Sequence, residues 1–190
     1  MAKAASQVET GMAAVLGGDR NEVLNTIKDF DLIPANDNGA GQIVAAGSLE
    51  QLDKLLENPP SGSRVRALAV AGAFHTHYMQ SAVSHVSEFV AKVQIGEINS
   101  QLLSNKDGAV VANGQDAINR IVNQIANPVR WDLCMQSLQD LGITGAIEFP
   151  PAGTLIGLLK RAIPGIETFA IKSPEDLLSA KEFAMKHGGA

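Results

Sequence analysis

The chain has 190 residues, 45% of them hydrophobic and 18% charged, with a formal net charge of −5, a composition that fits a protein with a real core and excludes a disordered segment. Its acidic balance and scattered Lys and Arg exclude the electrostatic footprint of a nucleic-acid binder. No apolar run approaches the ~18 residues that span a bilayer, and Met1 to Gly11 lack the basic-then-apolar pattern of a secretory signal, so no membrane is expected and the cytoplasm is the expected location.

Residues 12–16 read as a short buried strand, ended by Gly17 and Gly18. Asp19 is a good N-cap for a helix with Val23, Leu24 and Ile27 on one face. A strand over 32–36 follows, then a hairpin turn through Asn38-Gly39-Ala40-Gly41-Gln42 and a strand over 42–46. Ser48 is placed to cap a helix whose stripe is Leu49, Leu52, Leu55 and Leu56, closed by Pro59-Pro60. Residues 65–70 make a fourth strand. Strand, helix, strand, strand, helix, strand is the split βαβ arrangement, an antiparallel sheet with two helices on one face.

From Thr76 the spacing of Met79, Ala82, Val83, Val86, Phe89, Val90 and Val93 predicts a long amphipathic helix. Short strands are expected at 102–104, 146–149 (buried) and 168–171. Helices are expected around Ile118, Ile121, Val122 and Ile125 up to Asn127-Pro128, over 131–141, over 155–162, and after Ser173, with a fraying tail from His187 to Ala190. So few strands cannot cover so many helices. The second half therefore reads as a partial α/β layer whose remaining strands come from sequence outside this chain or from another chain.

Among groups able to do chemistry, His75 stands out because it follows a strand and the small stretch Ala71-Gly72-Ala73 at the entrance to a helix. Two readings stay open there: a base held at a strand exit, or a histidine that caps the helix. His77 and His85 are eight apart, and HExxH and CxxC patterns are missing, so no metal is expected. Cys134 falls in a helical pattern with Trp131, Met135 and Leu138 and reads as a buried structural thiol. No Gly-x-Ser-x-Gly elbow occurs. The residues thus offer a candidate base and no nucleophile.

Ala73-Phe74-His75-Thr76 followed by Met79 resembles the motif around the catalytic histidine of malonyl transacylases and of polyketide-synthase acyltransferase domains. Residues 36–47, Asn-Asp-Asn-Gly-Ala-Gly-Gln-Ile-Val-Ala-Ala-Gly, are similar to the family's N-x-N-x-x-x-Q-x-V-x-x-G, departing at Gly39 and Ala40. Asn113-Gly114 and Gln124-Ile125-Ala126-Asn127-Pro128-Val129-Arg130-Trp131 look like its late segment ending in N-P-V-x-W. Glu148-Phe149 with Gly153 and Leu155 resembles its closing E-x-G-P-G-x-x-L, diverging at Pro150-Pro151-Ala152. These matches cover nearly the whole chain, in order.

The resemblance implies the C-terminal part of a malonyl-CoA:acyl-carrier-protein transacylase of fatty acid biosynthesis. Its α/β fold would hold a ferredoxin-like βαββαβ subdomain (12–72) inserted in an α/β-hydrolase-like domain, of which residues 1–11 and 73–190 are the remainder. It implies malonyl transfer from coenzyme A to the phosphopantetheine thiol of acyl carrier protein through a serine and a histidine, with no cofactor. Carried over by motif, His75 is the base, the Gln124 backbone carbonyl orients it, and Phe74 lines the substrate and favours malonyl over methylmalonyl. The family's G-H-S-x-G serine, its oxyanion loop and its malonate-binding arginine have no counterpart here. The chain alone is therefore expected to be inactive, its Met1 an internal start, a truncation or a broken gene. The missing N-terminal part is a possible partner beside acyl carrier protein. The alternative implied is a non-catalytic module that docks acyl carrier protein or completes a partner chain.

Overall fold

The computed structural model describes residues 1–188. They fall into two compact units, Met1–Cys134 and the residues from Met135 onward.

In the first unit a short helix α1 (Ala2–Ala5) precedes β1 (Thr10–Gly17), α2 (Arg20–Asp29), β2 (Ile33–Asp37), β3 (Gln42–Ser48), α3 (Leu49–Glu57) and β4 (Ser63–Ala67). After a 3₁₀ turn at His77–Met79 come α4 (Gln80–Val90), α5 (Gly114–Gln124), β5 (Val129–Arg130) and the start of α6 (Trp131–Asp140). The sheet order is β4-β1-β3-β2-β5. Pairing of β1 with β3 and β4, and of β2 with β3, is antiparallel, the four-stranded pattern expected of the split βαβ arrangement.

Side-chain alternation along β1 and β3 sorts this sheet into two buried faces. Ala13, Val15, Ile43 and Ala45 pack with Val23 and Ile27 of α2 and Leu52 and Leu55 of α3. Met12, Val44, Ala46 and Ala35 face the other way, onto Ala73, with Phe74 and Tyr78 against them. The segment that carries the histidine motif therefore closes the second face of the small sheet. Both helices start where expected. Asp19 accepts from the N–H groups of Asn21 (2.9 Å) and Glu22 (3.0 Å), and Ser48 and Gln51 form a reciprocal capping box. The β2–β3 hairpin turns where predicted, with Gly39, Ala40 and Gly41 all at positive φ.

Several boundaries differ from the sequence reading. The fourth strand ends at Ala67, not Val70: the Leu68 N–H reaches Met12 O at 2.9 Å, but the Val70 N–H turns back to Leu68 O at 2.8 Å, which leaves both side chains exposed. The helix from Thr76 opens as a 3₁₀ turn and stops at Val90. Residues 102–104 are not a strand. Leu103 and Val110 form one isolated bridge around a tight loop in which the Gly108 N–H bonds to Ser104 O at 2.8 Å. The sequence reading missed β5, which pairs parallel with Asn36 and Asp37; two residues after a proline carry no readable period.

In the second unit β6 (Gly145–Glu148) and β7 (Glu167–Ala170) pair in parallel, joined through α7 (Thr154–Ala162), and α8 (Leu177–His187) follows. The strand expected to be buried over 146–149 is half-exposed, and Phe149 is 69% exposed, because among the described residues only β7 pairs with it. Glu148 is the buried exception: its carboxylate accepts the N–H groups of Gly153 (2.7 Å), Leu155 (2.9 Å) and Ile156 (3.2 Å) and so caps α7. His187 is no fraying tail. It is the last residue of α8, its ring 4.5 Å from that of Phe183 and against Gly145. Residues 189 and 190 lie outside the described residues.

Candidate active site

Beyond β4 the chain enters the site through Gly72, where a Cβ would come within 2.8 Å of the Ala5 Cβ; only glycine lets α1 approach this closely. Ala73 is fully buried, and two hydroxyls fix its backbone. Thr10 Oγ1 accepts from the Ala73 N–H at 3.0 Å, and Thr76 Oγ1 donates to Ala73 O at 2.6 Å while accepting from the Tyr78 N–H at 3.3 Å. Between these anchors His75 adopts φ = 60°, a left-handed conformation that costs a non-glycine residue ~1–2 kcal/mol and persists only where surrounding bonds impose it.

The imidazole Nδ1 of His75 lies 2.8 Å from the backbone oxygen of Gln124. A carbonyl can only accept, so Nδ1 carries the proton and the lone pair of the neutral ring is on Nε2. Among the described residues no hydrogen bond is made to Nε2, and the ring is half-buried.

That carbonyl is available for a reason written in the sequence. Gln124 is the last residue of α5, and the residue four positions on, whose N–H would ordinarily take its oxygen, is Pro128. The helix closes instead through long i→i−3 contacts, Ile125 N–H to Val122 O and Ala126 N–H to Asn123 O, both 3.4 Å. Upstream, Arg120 ties α5 to the preceding loop by bonding Asp107 (2.8 and 2.9 Å) and Asp116 (2.9 Å). Phe74 is half-buried. It packs both on the cluster of Met12, Ala35, Val44, Ala46 and Ala73 and on the cluster of Ala4, Met79, Ala82 and Ile125, so it has a structural role whatever else it does.

The structure thus brings His75 and Gln124 together, with Phe74 adjacent in the chain. Of the residues that hold the arrangement, Thr76 was read only as a motif position and helix start and Pro128 only as a helix stop, and Thr10 was not singled out; a proline four residues after a helical carbonyl was the one readable signal. Other candidates lie apart from this chemistry. Cys134 is 1% exposed and donates to Ser104 O at 3.3 Å. Burial, helped by the charges of Asp132 and Asp107, pushes its thiol up to about 11, so it is no nucleophile. His77 stacks on Tyr78, and His85 contacts Ser81 O. Among the described residues no group of three metal-ligating side chains converges. A cavity of about 230 Å³ at the tips of β1 and the β2–β3 hairpin, bordered by Gly17, Arg20, Asp37, Gly41 and Asp132, involves none of the three site residues. No helix among the described residues is long and apolar enough to cross a membrane.

No family model matches the chain. It is 55% identical over 181 residues to the malonyl CoA-acyl carrier protein transacylase of Mycolicibacterium smegmatis, a match covering 93% of this chain and 62% of that protein. It is 50% identical over 177 residues to the protein of the same name from Mycobacterium tuberculosis, covering 93% and 59%. The crystal structure of MCAT from Mycobacterium tuberculosis superposes with a TM-score of 0.90 over 93% of this chain and 59% of that one. The malonyl-CoA:acyl carrier protein transacylase of Xanthomonas oryzae pv. oryzae, 29% identical, superposes with a TM-score of 0.85 over 95% and 59%.

The fold is that of an α/β acyltransferase. Within that class the chain is homologous, over nearly all its length, to the malonyl CoA-acyl carrier protein transacylases, and it spans about 60% of the length of the curated relatives it matches.

Proposed function

We propose that this chain supplies the histidine-bearing part of a malonyl-CoA:acyl-carrier-protein transacylase of cytoplasmic fatty acid biosynthesis. Residues 12–72 would form its ferredoxin-like subdomain, and residues 1–11 and 73–190 would belong to its larger domain. The observation that carries the reading is the 2.8 Å contact from His75 Nδ1 to the Gln124 carbonyl, which leaves Nε2 as the acceptor. In the reaction a serine hydroxyl from outside this chain attacks the thioester carbonyl of malonyl-CoA while Nε2 takes its proton. The coenzyme A thiolate leaves with that proton, and a malonyl ester forms. The phosphopantetheine thiol of acyl carrier protein then attacks the ester, giving its proton to Nε2, and the serine recovers it. The Nδ1–H bond is needed in both protonation states of the ring, so an uncharged acceptor that never titrates suits the cycle.

Phe74 is assigned the substrate's α-carbon: a phenyl ring there leaves no room for a methyl branch. The motif match and the position of Phe74 beside His75 support this, although its packing shows that the ring is also a core element. A second reading, a non-catalytic module that completes a partner chain, draws on the missing elbow and on exposed apolar residues such as Phe89 (71%) and Ile121 (57%).

Intact mass spectrometry after incubation with malonyl-CoA, run with the wild-type chain and with His75→Ala, separates the two, because only the first reading makes the ester depend on His75. The chain alone should gain no adduct. Mixed with a polypeptide spanning the part of the Mycolicibacterium smegmatis relative that this chain does not match, it should support a malonyl ester on that polypeptide's serine. No ester in the mixture would favour the non-catalytic module, and an adduct on the chain alone would overturn this account of the site.

A further inference from the structure

The oxygen that orients His75 has itself to be held. A helix-terminal carbonyl with no backbone donor and a proline four residues on sits where helices fray, and its own segment ends in the long 3.4 Å contacts described above. What fixes it is the side chain of the same residue. Gln124 Nε2 donates to Asn127 O at 2.7 Å and to Pro128 O at 2.8 Å. Both partners are carbonyls and can only accept, so the amide orientation is unambiguous. The two N–H bonds close a ring from the end of α5 across the turn that leads to Pro128, at the residue whose backbone oxygen faces His75.

We infer that the Gln124 side chain is a positioning residue for His75: its double bond to Asn127 O and Pro128 O locks the end of α5 so that the Gln124 carbonyl stays aimed at Nδ1 and holds the ring in the Nδ1–H tautomer. The inference rests on the transacylase reading for its catalytic meaning, but the geometry it claims does not. The amide touches neither His75 nor any reacting atom; it acts through the backbone of its own residue. Neighbouring bonds cannot replace it. Asn127 Nδ2 donates to Asn123 O at 2.7 Å and so braces the same turn, but at a carbonyl one residue earlier.

The test reads the ring directly in the intact 190-residue chain, by long-range ¹⁵N–¹H correlation of the neutral imidazole, with the His75 signals assigned by their loss in His75→Gln. The wild-type ring should be protonated at Nδ1. Gln124→Met, similar in length and without donors, should lower the ratio of the Nδ1–H to the Nε2–H form by about fivefold, the equilibrium worth of one ordinary hydrogen bond. Asn127→Ala, which removes a bond of equal length from the same turn, should keep the wild-type ratio even if it melts earlier. If Gln124→Met fails to fold, Gln124→Glu above neutral pH reads the same loss, its carboxylate facing two carbonyls.

A wild-type ratio in the Gln124 variant would overturn the inference and leave the transacylase reading standing. An equal shift in Asn127→Ala would also overturn it, by showing that any loosening of the turn suffices. A wild-type ring protonated at Nε2 would remove both the inference and the orientation assigned to the base.

Discussion

Substituting His75 by glycine should leave a more stable protein than substituting it by alanine, the reverse of the usual order. His75 sits at φ = 60°, so alanine there keeps a left-handed strain of ~1–2 kcal/mol and loses the bond to Gln124 O, worth ~1 kcal/mol net. Glycine loses the same bond but relieves the strain. Against that relief stands the larger entropy of glycine in the unfolded chain, ~0.4–1 kcal/mol. The difference leaves glycine ahead of alanine by ~0.5–1 kcal/mol. Urea unfolding followed by fluorescence of Trp131, the only tryptophan of the chain, measures both variants with one probe. Alanine equal to or above glycine at the same slope would mean that Thr10 and Thr76 do not impose the conformation, and the argument for a pre-set ring would fail.

Glu148→Gln should destabilise the second unit by about 1–3 kcal/mol, because an amide presents two donors to N–H groups that now meet a carboxylate; its thermal transition reads this. Burial pushes the Glu148 carboxyl up, but the N–H groups of Leu155, Gly153 and Ile156 outweigh it and hold the group below its ordinary value. Its contribution is therefore complete above the unfolded value of about 4.3 and fades as pH falls through the lower folded value, which an acid titration of circular dichroism would detect. Cys134, with its thiol pushed up to about 11, should resist iodoacetamide at pH 8 until denaturant is added, and rapid labelling of the native chain would contradict its burial. The stability from that neutral thiol is complete below about 8.5 and declines toward pH 11. Asp19→Ala should cost about 1 kcal/mol in urea unfolding through loss of the α2 cap. The exposed Phe89, Phe149, Leu178 and Met185 should bind an apolar dye, and a complementing polypeptide that covers them should reduce the signal.

The small sheet was legible because each of its elements carries its own punctuation: Gly17-Gly18 and Asp19, the Gly39–Gly41 turn, Ser48, and Pro59-Pro60. Which face of β1 meets α2 and α3 was not legible, because residues 12–16 are apolar throughout and both faces are buried. The rest was harder for identifiable reasons. Residues 102–104 have strand composition, but a strand needs a ladder, and only Val110 offers itself to Leu103. Val129 and Arg130 pair because Asn36 and Asp37 present a free edge, a tertiary fact invisible in two residues. His187 reads as tail until α8 brings it onto Gly145, where the missing side chain makes room for the ring.

At the site, the motif around His75 and the matching position of Gln124 could be read from sequence, and so could the reason the carbonyl is vacant, since Pro128 is four residues on. The left-handed backbone of His75 could not. It arises from two hydroxyls, one of them 63 positions away in sequence from the backbone it holds, and no local pattern reports such a bond.

The most direct test of the central claim is the rate at which acyl carrier protein becomes malonylated by this chain combined with a polypeptide that supplies the serine, compared between wild type and His75→Ala. The account predicts transfer in the wild-type mixture and a loss of about 10²–10⁴-fold in the variant, the range for removing a general base. Equal rates in the two mixtures would contradict it, because the chain would then be assisting as a scaffold and its histidine would have no part in the chemistry.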